Sequence, residues 1–126
     1  MNGLHLTADL RGCAAGQPLM QDCEALRALC IAAVAAAGLG AVAELFHRFT
    51  PVPGQAQSGI TGVVLLAESH LAIHTWPELS GVTLDVYVCN LGRDNSAKAE
   101  TLMAELVGAF APREVLRQSL QRGAEL

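Results

Sequence analysis

Residues 67–78 concentrate side chains that can take part in covalent chemistry. The segment reads Ala-Glu-Ser-His-Leu-Ala-Ile-His-Thr-Trp-Pro-Glu, so it combines a serine hydroxyl, two imidazoles, two carboxylates and the single tryptophan of the chain. These groups suit nucleophilic attack assisted by an acid or base. Glu, Ser and His are also ordinary residues of β-hairpin turns, where a Ser-His pair is more often structural than catalytic. The segment by itself leaves both interpretations open.

Three common kinds of site fit this sequence poorly. His70 and His74 would lie about 13 Å apart on a strand, which is too far for one shared zinc ion. Ser69 lacks the flanking glycines of the Gly-x-Ser-x-Gly turn that hydrolases use. No Cys-x-x-Cys spacing occurs among the four cysteines, which are Cys13, Cys23, Cys30 and Cys89. We therefore expect no metal site and no redox pair.

Length and charge narrow the class of protein. A chain of 126 residues suits a single domain, 1–126. The net charge of −4, with only eight Lys plus Arg, argues against a nucleic-acid partner, because phosphate binding needs clustered positive charge. The hydrophobic share of 52% and mean hydropathy of +0.35 are high for so short a chain. They indicate apolar surface that a second copy of the chain covers.

No membrane partner is expected. The longest apolar stretch, residues 28–43, is mostly alanine and is interrupted by Gly38 and Gly40, which is unlike a membrane span. The first residues also lack the basic and apolar layout of a secretory signal. A cytoplasmic location with reduced cysteines is the resulting expectation.

Hydrophobic periodicity predicts the elements that must position the reactive segment. Strands are predicted at residues 4–10, 41–50, 59–67, 71–76, 82–89 and 115–120, and helices at 18–38 and 95–110. Residues 51–58 form the clearest loop. The order β-α-β-β-β-β-α-β predicts an α+β two-layer sandwich, in which both helices cover one face of a mainly antiparallel sheet. The other face is left free to meet a partner.

The sequence resembles the prokaryotic S-adenosylmethionine decarboxylase proenzymes. The resemblance is carried by Phe-His-Arg-Phe at 46–49, Glu-Ser-His-Leu at 68–71, Ile-His-Thr-Trp-Pro-Glu at 73–78 and the strand at 85–89. It runs from residue 4 to about residue 110 and is densest over 59–90. The same fold is therefore expected, together with a self-cleaving precursor.

The resemblance implies cleavage between Glu68 and Ser69. Ser69 would attack the Glu68 carbonyl, and elimination and hydrolysis would then leave a pyruvoyl group at the new N-terminus. The products would be a β chain, residues 1–68, and an α chain, residues 69–126. His74 is implied as the processing base, because imidazole can accept a proton near neutral pH. Thr61 stands where the family usually carries a serine that assists processing.

The resemblance also implies how substrate is handled. The pyruvoyl group would form a Schiff base with the substrate amine and serve as electron sink, so neither pyridoxal phosphate nor a metal is expected. Cys89 is implied as the proton donor, since a thiol is mostly protonated at neutral pH. The substrate contacts implied by the family are Phe49, Trp76, Glu78, Leu71 and Asp9. A homodimer with active sites at its interface follows from the same likeness.

Some positions depart from the family pattern. Asp9 replaces the usual glutamate, Asn90 replaces the usual glycine, and the 51–58 loop is longer than in compact members. Three hypotheses remain at this point: decarboxylation of S-adenosylmethionine for spermidine synthesis, decarboxylation of ornithine or arginine by the same chemistry, and a non-catalytic relative. The presence of Ser69, His74 and Cys89 together favours an enzyme.

Overall fold

The computed structural model describes residues 2–123 as a six-stranded sheet covered by helices on one face. The elements in chain order are β1 (Gly3–Arg11), α1 (Pro18–Gln21), α2 (Cys23–Ala36), β2 (Ala41–Arg48), β3 (Ile60–Leu66), β4 (Ser69–Trp76), β5 (Gly81–Cys89), α3 (Ser96–Phe110) and β6 (Glu114–Arg122). A single 3₁₀ turn, Pro77–Leu79, joins β4 to β5. The strand order is β2-β3-β4-β5-β1-β6, and all five pairings are antiparallel. The predicted α+β sandwich is confirmed.

One predicted helix is wrong in detail. Residues 18–38 do not form one helix. The helix is interrupted at Asp22, whose backbone is extended, and this residue separates α1 from α2. The Asp22 side chain accepts hydrogen bonds from the backbone N–H groups of Glu24 and Ala25, at 3.0 and 3.2 Å. An aspartate in this position satisfies donors that have no partner inside the helix, so it starts a new helix. The apolar periodicity continues through the break and conceals it.

The core lies between the helices and one face of the sheet. Alternate residues of β1 and β5 are buried there, as the period of two requires. Helices α2 and α3 supply the other wall through their buried faces. The fully buried large side chains include Leu6, Leu10, Leu26, Leu71, Ile73, Leu102, Leu106 and Phe110. No helix within residues 2–123 is long and apolar enough to cross a membrane.

The opposite face of the sheet is not covered by any described part of the chain, and we call it the open face. Strand register places Thr61, His74, Thr83 and Asp9 in one row across it, with His70, Tyr87 and His5 in another. Large apolar side chains are also exposed on this face, namely Leu45, Leu65, Leu116 and Leu120. A mixed polar and apolar surface of this kind is typical of a face that meets a partner.

The hairpin between β3 and β4 contains a strained residue. Its last strand pair is Leu66 with Ser69, so only Ala67 and Glu68 form the loop. Glu68 has a φ of +57°, in the left-handed region that side chains other than glycine rarely adopt. For a residue with a Cβ this conformation costs about 1–2 kcal/mol. The strain lies at the residue whose carbonyl is joined to Ser69.

Replacing Glu68 by glycine tests this strain. In a Ser69→Ala background, which keeps the peptide bond intact, Glu68→Gly is expected to raise the free energy of unfolding by about 1 kcal/mol, because glycine adopts positive φ without a steric penalty. Glu68→Ala is the matched control, since it removes the same carboxylate but keeps the Cβ. Denaturant unfolding of the three proteins measures the effect. Equal stabilities of the glycine and alanine variants would contradict the assignment of strain.

Candidate active site

Ser69 and Cys89 meet at the end of the sheet where β4 begins and β5 ends. The Cys89 backbone N–H donates a hydrogen bond to Ser69 Oγ at 3.0 Å. Cys89 is buried, and Gly3 of β1 is its pairing partner on the far side. Glu68 is the next residue along the hairpin. We call Glu68, Ser69 and Cys89 the serine corner, where the carbonyl of a residue with a left-handed backbone, a hydroxyl and a thiol-bearing residue lie together.

Thr61 and His74 form a second polar pair. They are direct partners in the pairing of β3 with β4, and Thr61 Oγ1 lies 2.8 Å from His74 Nδ1. When Nδ1–H donates to the threonine hydroxyl, the lone pair is on Nε2 and is available to accept a proton. The threonine therefore orients the imidazole, and the tautomer that carries its proton on Nδ1 leaves Nε2 as the base. This pair has the geometry of an oriented base.

The Thr61–His74 pair lines a cavity of about 430 Å³. Phe49, Trp76 and Glu78 line the same cavity, which we call the aromatic cavity. The His74 and Trp76 rings are 5.9 Å apart between centroids, and Phe49 contacts His47 edge to face at 4.9 Å. Flat ring surfaces with a carboxylate at the rim suit a ligand that has both an aromatic group and hydroxyl groups.

The 50–58 loop forms one wall of the aromatic cavity. Two hydrogen bonds close the loop at its base: the Phe49 N–H donates to the Gly59 carbonyl at 3.0 Å, and Ser58 Oγ donates to the Phe49 carbonyl. Residue 59 must be glycine, because a Cβ there would lie 1.8 Å from the Thr75 carbonyl oxygen. The close approach of the two backbones thus holds Phe49 against β4.

A buried threonine fixes the strands beneath the cavity. Thr75 Oγ1 donates to the Met20 carbonyl at 2.8 Å and accepts from the Ile60 N–H at 3.0 Å. Thr75 is almost fully buried, so both bonds are shielded from water. The short helix α1 is thereby joined to β3 and β4. This rigid support lies next to His74 and Trp76 in the same strand.

The serine corner and the aromatic cavity lie at opposite ends of β4. Ser69 and His74 are five residues apart on this extended strand, which corresponds to about 16 Å. A serine and a base must approach to hydrogen-bonding distance before a proton can be transferred. One copy of the chain therefore holds both parts of the predicted machinery without bringing them together.

Two predicted substrate contacts lie outside the aromatic cavity. The Leu71 side chain is fully buried in the hydrophobic core, because its position in β4 points it toward the helices. It packs the hairpin and has no free surface for a ligand. Asp9 is exposed on the open face, two strands from His74 in the same row. Neither residue lines the cavity beside Phe49.

A cluster around Asp85 on the open face has no counterpart in the sequence-based predictions. Asp85 Oδ2 accepts hydrogen bonds from His5 Nε2 at 2.9 Å and from His70 Nε2 at 2.8 Å. Arg122 Nη1 donates to His5 Nδ1 at 3.0 Å, and its guanidinium lies 5.4 Å from the centre of the Tyr87 ring. Residues from four strands meet here through strand register, so no local motif could reveal them.

The donor set at Asp85 resembles a metal site in composition, since the ligand atoms of His5, His70 and Asp85 all lie within 4.8 Å of one another. The surrounding contacts do not suit a metal. A metal on His5 Nε2 would require the proton to be on Nδ1, where Arg122 already donates. The observed bonds fit a His5 whose Nδ1 accepts from Arg122 and whose Nε2–H donates to the carboxylate. We interpret the cluster as a hydrogen-bonded network.

The four cysteines are free thiols. Burial raises the pKa of the Cys30 thiol to about 12 and also raises the pKa of Cys13. The pKa of Cys23 is raised by burial and further by the neighbouring carboxylates of Glu24 and Asp22. These three thiols therefore stay protonated and unreactive near neutral pH.

Comparison with known proteins gives one consistent result. The family model described as S-adenosylmethionine decarboxylase matches residues 4–123. The S-adenosylmethionine decarboxylase proenzyme of Aquifex aeolicus is 38% identical over 121 residues, which cover 96% of this chain and 81% of the relative. The proenzymes of Persephonella marina and Picrophilus torridus are 37% and 32% identical, with 96% and 98% of this chain covered and 82% and 86% of theirs.

A solved structure agrees with these relatives. The crystal structure of the adenosylmethionine decarboxylase from Aquifex aeolicus superimposes with a TM-score of 0.83 at 36% identity, covering 97% of this chain and 91% of that one. Sequence and fold thus agree over almost the whole length. The chain belongs to the S-adenosylmethionine decarboxylase family.

Proposed function

We propose that this protein is a precursor that cleaves itself between Glu68 and Ser69 and then decarboxylates S-adenosylmethionine, which yields the aminopropyl donor for spermidine synthesis. The observation that carries the proposal is the serine corner. A left-handed Glu68 precedes a serine whose Oγ already accepts a hydrogen bond from the Cys89 N–H. Backbone strain beside the scissile bond favours an acyl shift that is uphill for an ordinary amide, and the Cys89 N–H can stabilise the negative charge on Oγ when the ester is later eliminated.

The cleavage can be written with every atom accounted for. Ser69 Oγ loses its proton and bonds to the Glu68 carbonyl carbon, and the C–N bond breaks as the Ser69 nitrogen takes up that proton, so the amide becomes an ester and a free amine. A base then removes the Ser69 α-proton, and the Cβ–Oγ bond breaks to release the Glu68 carboxylate. One water enters the remaining enamine and one ammonia leaves, which gives the ketone. The Cys89 N–H stabilises the charge that develops on Oγ as it leaves.

The base in this scheme is His74 of a second copy of the chain. Within one copy, Ser69 and His74 are separated by about 16 Å along β4. A two-fold axis near the middle of β4, with the open faces stacked, would lay the Ser69 end of one copy beside the His74 end of the other. The exposed leucines of the open face would be buried in the same contact. The proposed homodimer thus has two active sites, each built from both copies.

The sheet supports a cleaved chain. The scissile bond lies at the hairpin tip, beyond the last strand pair of β3 with β4. Backbone pairing from Thr61 with His74 to Leu66 with Ser69 therefore stays available after cleavage. Residues on both sides of the cut also share one hydrophobic core. The fragments 1–68 and 69–126 are expected to stay together without a covalent link.

The residues present fit a pyruvoyl group formed from Ser69. Once formed, such a group supplies an electron sink for decarboxylation without a bound coenzyme. Cys89 lies at the serine corner, where its thiol can deliver a proton to the substrate carbon. The aromatic cavity of the partner, with Phe49, Trp76 and Glu78, would hold the adenosine through ring stacking and hydroxyl hydrogen bonds. Free ornithine or arginine offers no ring to such a cavity.

Four free thiols also support a location in the cytoplasm.

Intact mass and substrate assays test the proposed activity. The native chain is expected to appear as two fragments split before residue 69 and to release carbon dioxide from S-adenosylmethionine but not from ornithine or arginine. Ser69→Ala is expected to stay whole, whereas Cys89→Ala is expected to cleave and to lose about 10²-fold in kcat, as for loss of a general acid. A native chain that stays whole, or normal turnover in the Cys89 variant, would overturn these roles.

Mixed dimers test whether each site needs two copies. Ser69→Ala and His74→Ala chains, each uncleaved alone, are expected to complement one another when coexpressed, because the mixed dimer contains one site with both native residues. Only the His74→Ala chain should then be cleaved, which intact mass reveals. The control coexpresses His74→Ala with the double variant Ser69→Ala/His74→Ala, since that mixed dimer has no complete site. Absence of cleavage in the first mixture would refute the shared site.

A further inference from the structure

An asparagine pair ties Cys89 to the start of helix α3. Asn95 Nδ2 donates to the Cys89 carbonyl at 2.9 Å, and the Asn95 backbone N–H donates to Asn90 Oδ1 at 2.7 Å. Asn90 Nδ2 in turn donates to Ser96 Oγ at 3.0 Å. Three hydrogen bonds thus connect the last residue of β5 to the first residue of α3. We call Asn90 and Asn95 the asparagine clamp.

The clamp acts where the strand would otherwise be poorly fixed. Cys89 is the final residue of β5, and terminal residues of an element fray readily. On the N–H side, Cys89 donates to Ser69 Oγ; on the carbonyl side, it accepts from Asn95. The chain after it is also held, because the Asn90 N–H donates to the Asn2 carbonyl at 2.6 Å. Both peptide groups of Cys89 therefore have defined partners.

Helix α3 gives the clamp a rigid base. Its buried face includes Ala99, Leu102, Met103, Leu106 and Phe110, and it packs on β1 and β5. A side chain anchored at the start of such a helix moves with the core and not with the connecting loop. A bond from that point to the Cys89 carbonyl transmits the rigidity of the core to the serine corner.

We propose that Asn95, oriented by Asn90, is a positioning residue that holds Cys89 at the angle from which its thiol protonates the substrate carbon. The proposal rests on the function proposed above and extends it to residues outside the reacting groups. Proton delivery depends steeply on distance and angle, and a displacement of about 1 Å can cost 10²-fold in rate. Weakening the clamp should therefore impair protonation more than substrate binding.

A purely structural role for Asn95 makes a different prediction. Asn95 is the N-cap residue of α3, and Asn, Asp and Ser are about equally good at that position. Its side chain, however, makes no capping hydrogen bond, and the Ser96 N–H is instead bonded to Asp94 Oδ1 at 2.9 Å. An aspartate in place of Asn95 would keep the shape and the helix preference of the side chain but could not donate to the Cys89 carbonyl. The variant Asn95→Asp thus separates positioning from capping.

The experiment measures which carbon atom receives the proton after carbon dioxide has left. If the proton reaches the carbon derived from Ser69 in place of the substrate carbon, the α chain begins with alanine and the substrate leaves as an aldehyde with carbon dioxide. This balances without any oxidant: the amine nitrogen passes to the protein, and the ketone oxygen passes to the product. Each such event inactivates one site permanently. The mass of the α chain after turnover records the share of misdirected events.

Asn95→Asp is expected to cleave itself, to lower kcat about tenfold with KM little changed, and to increase the share of α chain that begins with alanine several-fold. Asp94→Ala is the matched control: it removes the cap bond to Ser96, so it should lower the melting temperature but leave kcat and the alanine share as in the native protein. Asn90→Gly, which removes the orienting amide, is expected to lie between the native protein and Asn95→Asp.

Two results would overturn the positioning role. One is an Asn95→Asp enzyme with native kcat and native alanine share; the other is an equal rise of that share in Asp94→Ala, which would indicate general loosening of the helix start. If the native chain itself stays uncleaved, the proposed function fails as a whole. Cys89 alkylation, mapped by mass in a Ser69→Ala background, separates local release from a general folding defect. The Asn95→Asp variant should react faster than the chain that keeps Asn95, whereas Asp94→Ala should not.

Discussion

The geometry of the serine corner depends on the backbone conformation of one residue at the tip of the β3–β4 hairpin. Only two residues connect β3 to β4, and the second, Glu68, must adopt a left-handed backbone although it is not glycine. The conformation is tolerated because strand pairing on both sides and the core beneath fix the ends of the loop. The strain is local, and the next residue is a serine whose hydroxyl oxygen is already hydrogen bonded. Under the proposed function, a turn that the sheet enforces prepares one peptide bond for reaction.

The same strand keeps the two polar groups of the proposed site apart within one copy of the chain. An extended strand separates residues by about 3.3 Å each, so Ser69 and His74 of one copy lie about 16 Å apart. The serine corner lies at one end, and the oriented imidazole with its aromatic cavity lies at the other. The open face connects them and carries the Asp85 network together with exposed leucines. Under the proposed dimer, stacking of this face both completes the chemistry and buries apolar surface.

Apolar periodicity and short sequence motifs predict the secondary structure and the features that lie within one element. Alternation of apolar residues locates the six strands to within a few residues, and the string from Glu68 to Glu78 locates β4, which carries Ser69 and His74. The break at Asp22 escapes this approach, since apolar spacing continues across it. The family likeness implies Leu71 as a substrate contact, but its position in β4 buries it under the helices. Strand geometry already implies that Ser69 and His74 lie far apart, although the motif presents them as neighbours.

Contacts between residues that are distant in sequence depend on the register of the strands and on packing, which local sequence patterns do not reveal. The Asp85 network joins residues up to 117 positions apart in the chain, and it forms only because β4, β5, β1 and β6 are neighbours in the sheet. The asparagine clamp depends on where the loop after β5 turns into α3, which no periodicity specifies. Glycine is required at position 59 by the close approach of the Thr75 backbone, and not by the conformation of its own loop. Such contacts require the packed fold before they can be recognised.

Chemical trapping of the new N-terminus detects the proposed keto group directly. Purified protein is treated with borohydride, denatured, and weighed as separate fragments by mass spectrometry. If Ser69 has become a pyruvoyl group, the fragment beginning at residue 69 gains the mass of two hydrogen atoms, as a ketone does on reduction, while fragment 1–68 is unchanged. A fragment beginning with an ordinary serine, or one that borohydride leaves unaltered, would contradict the proposed keto group.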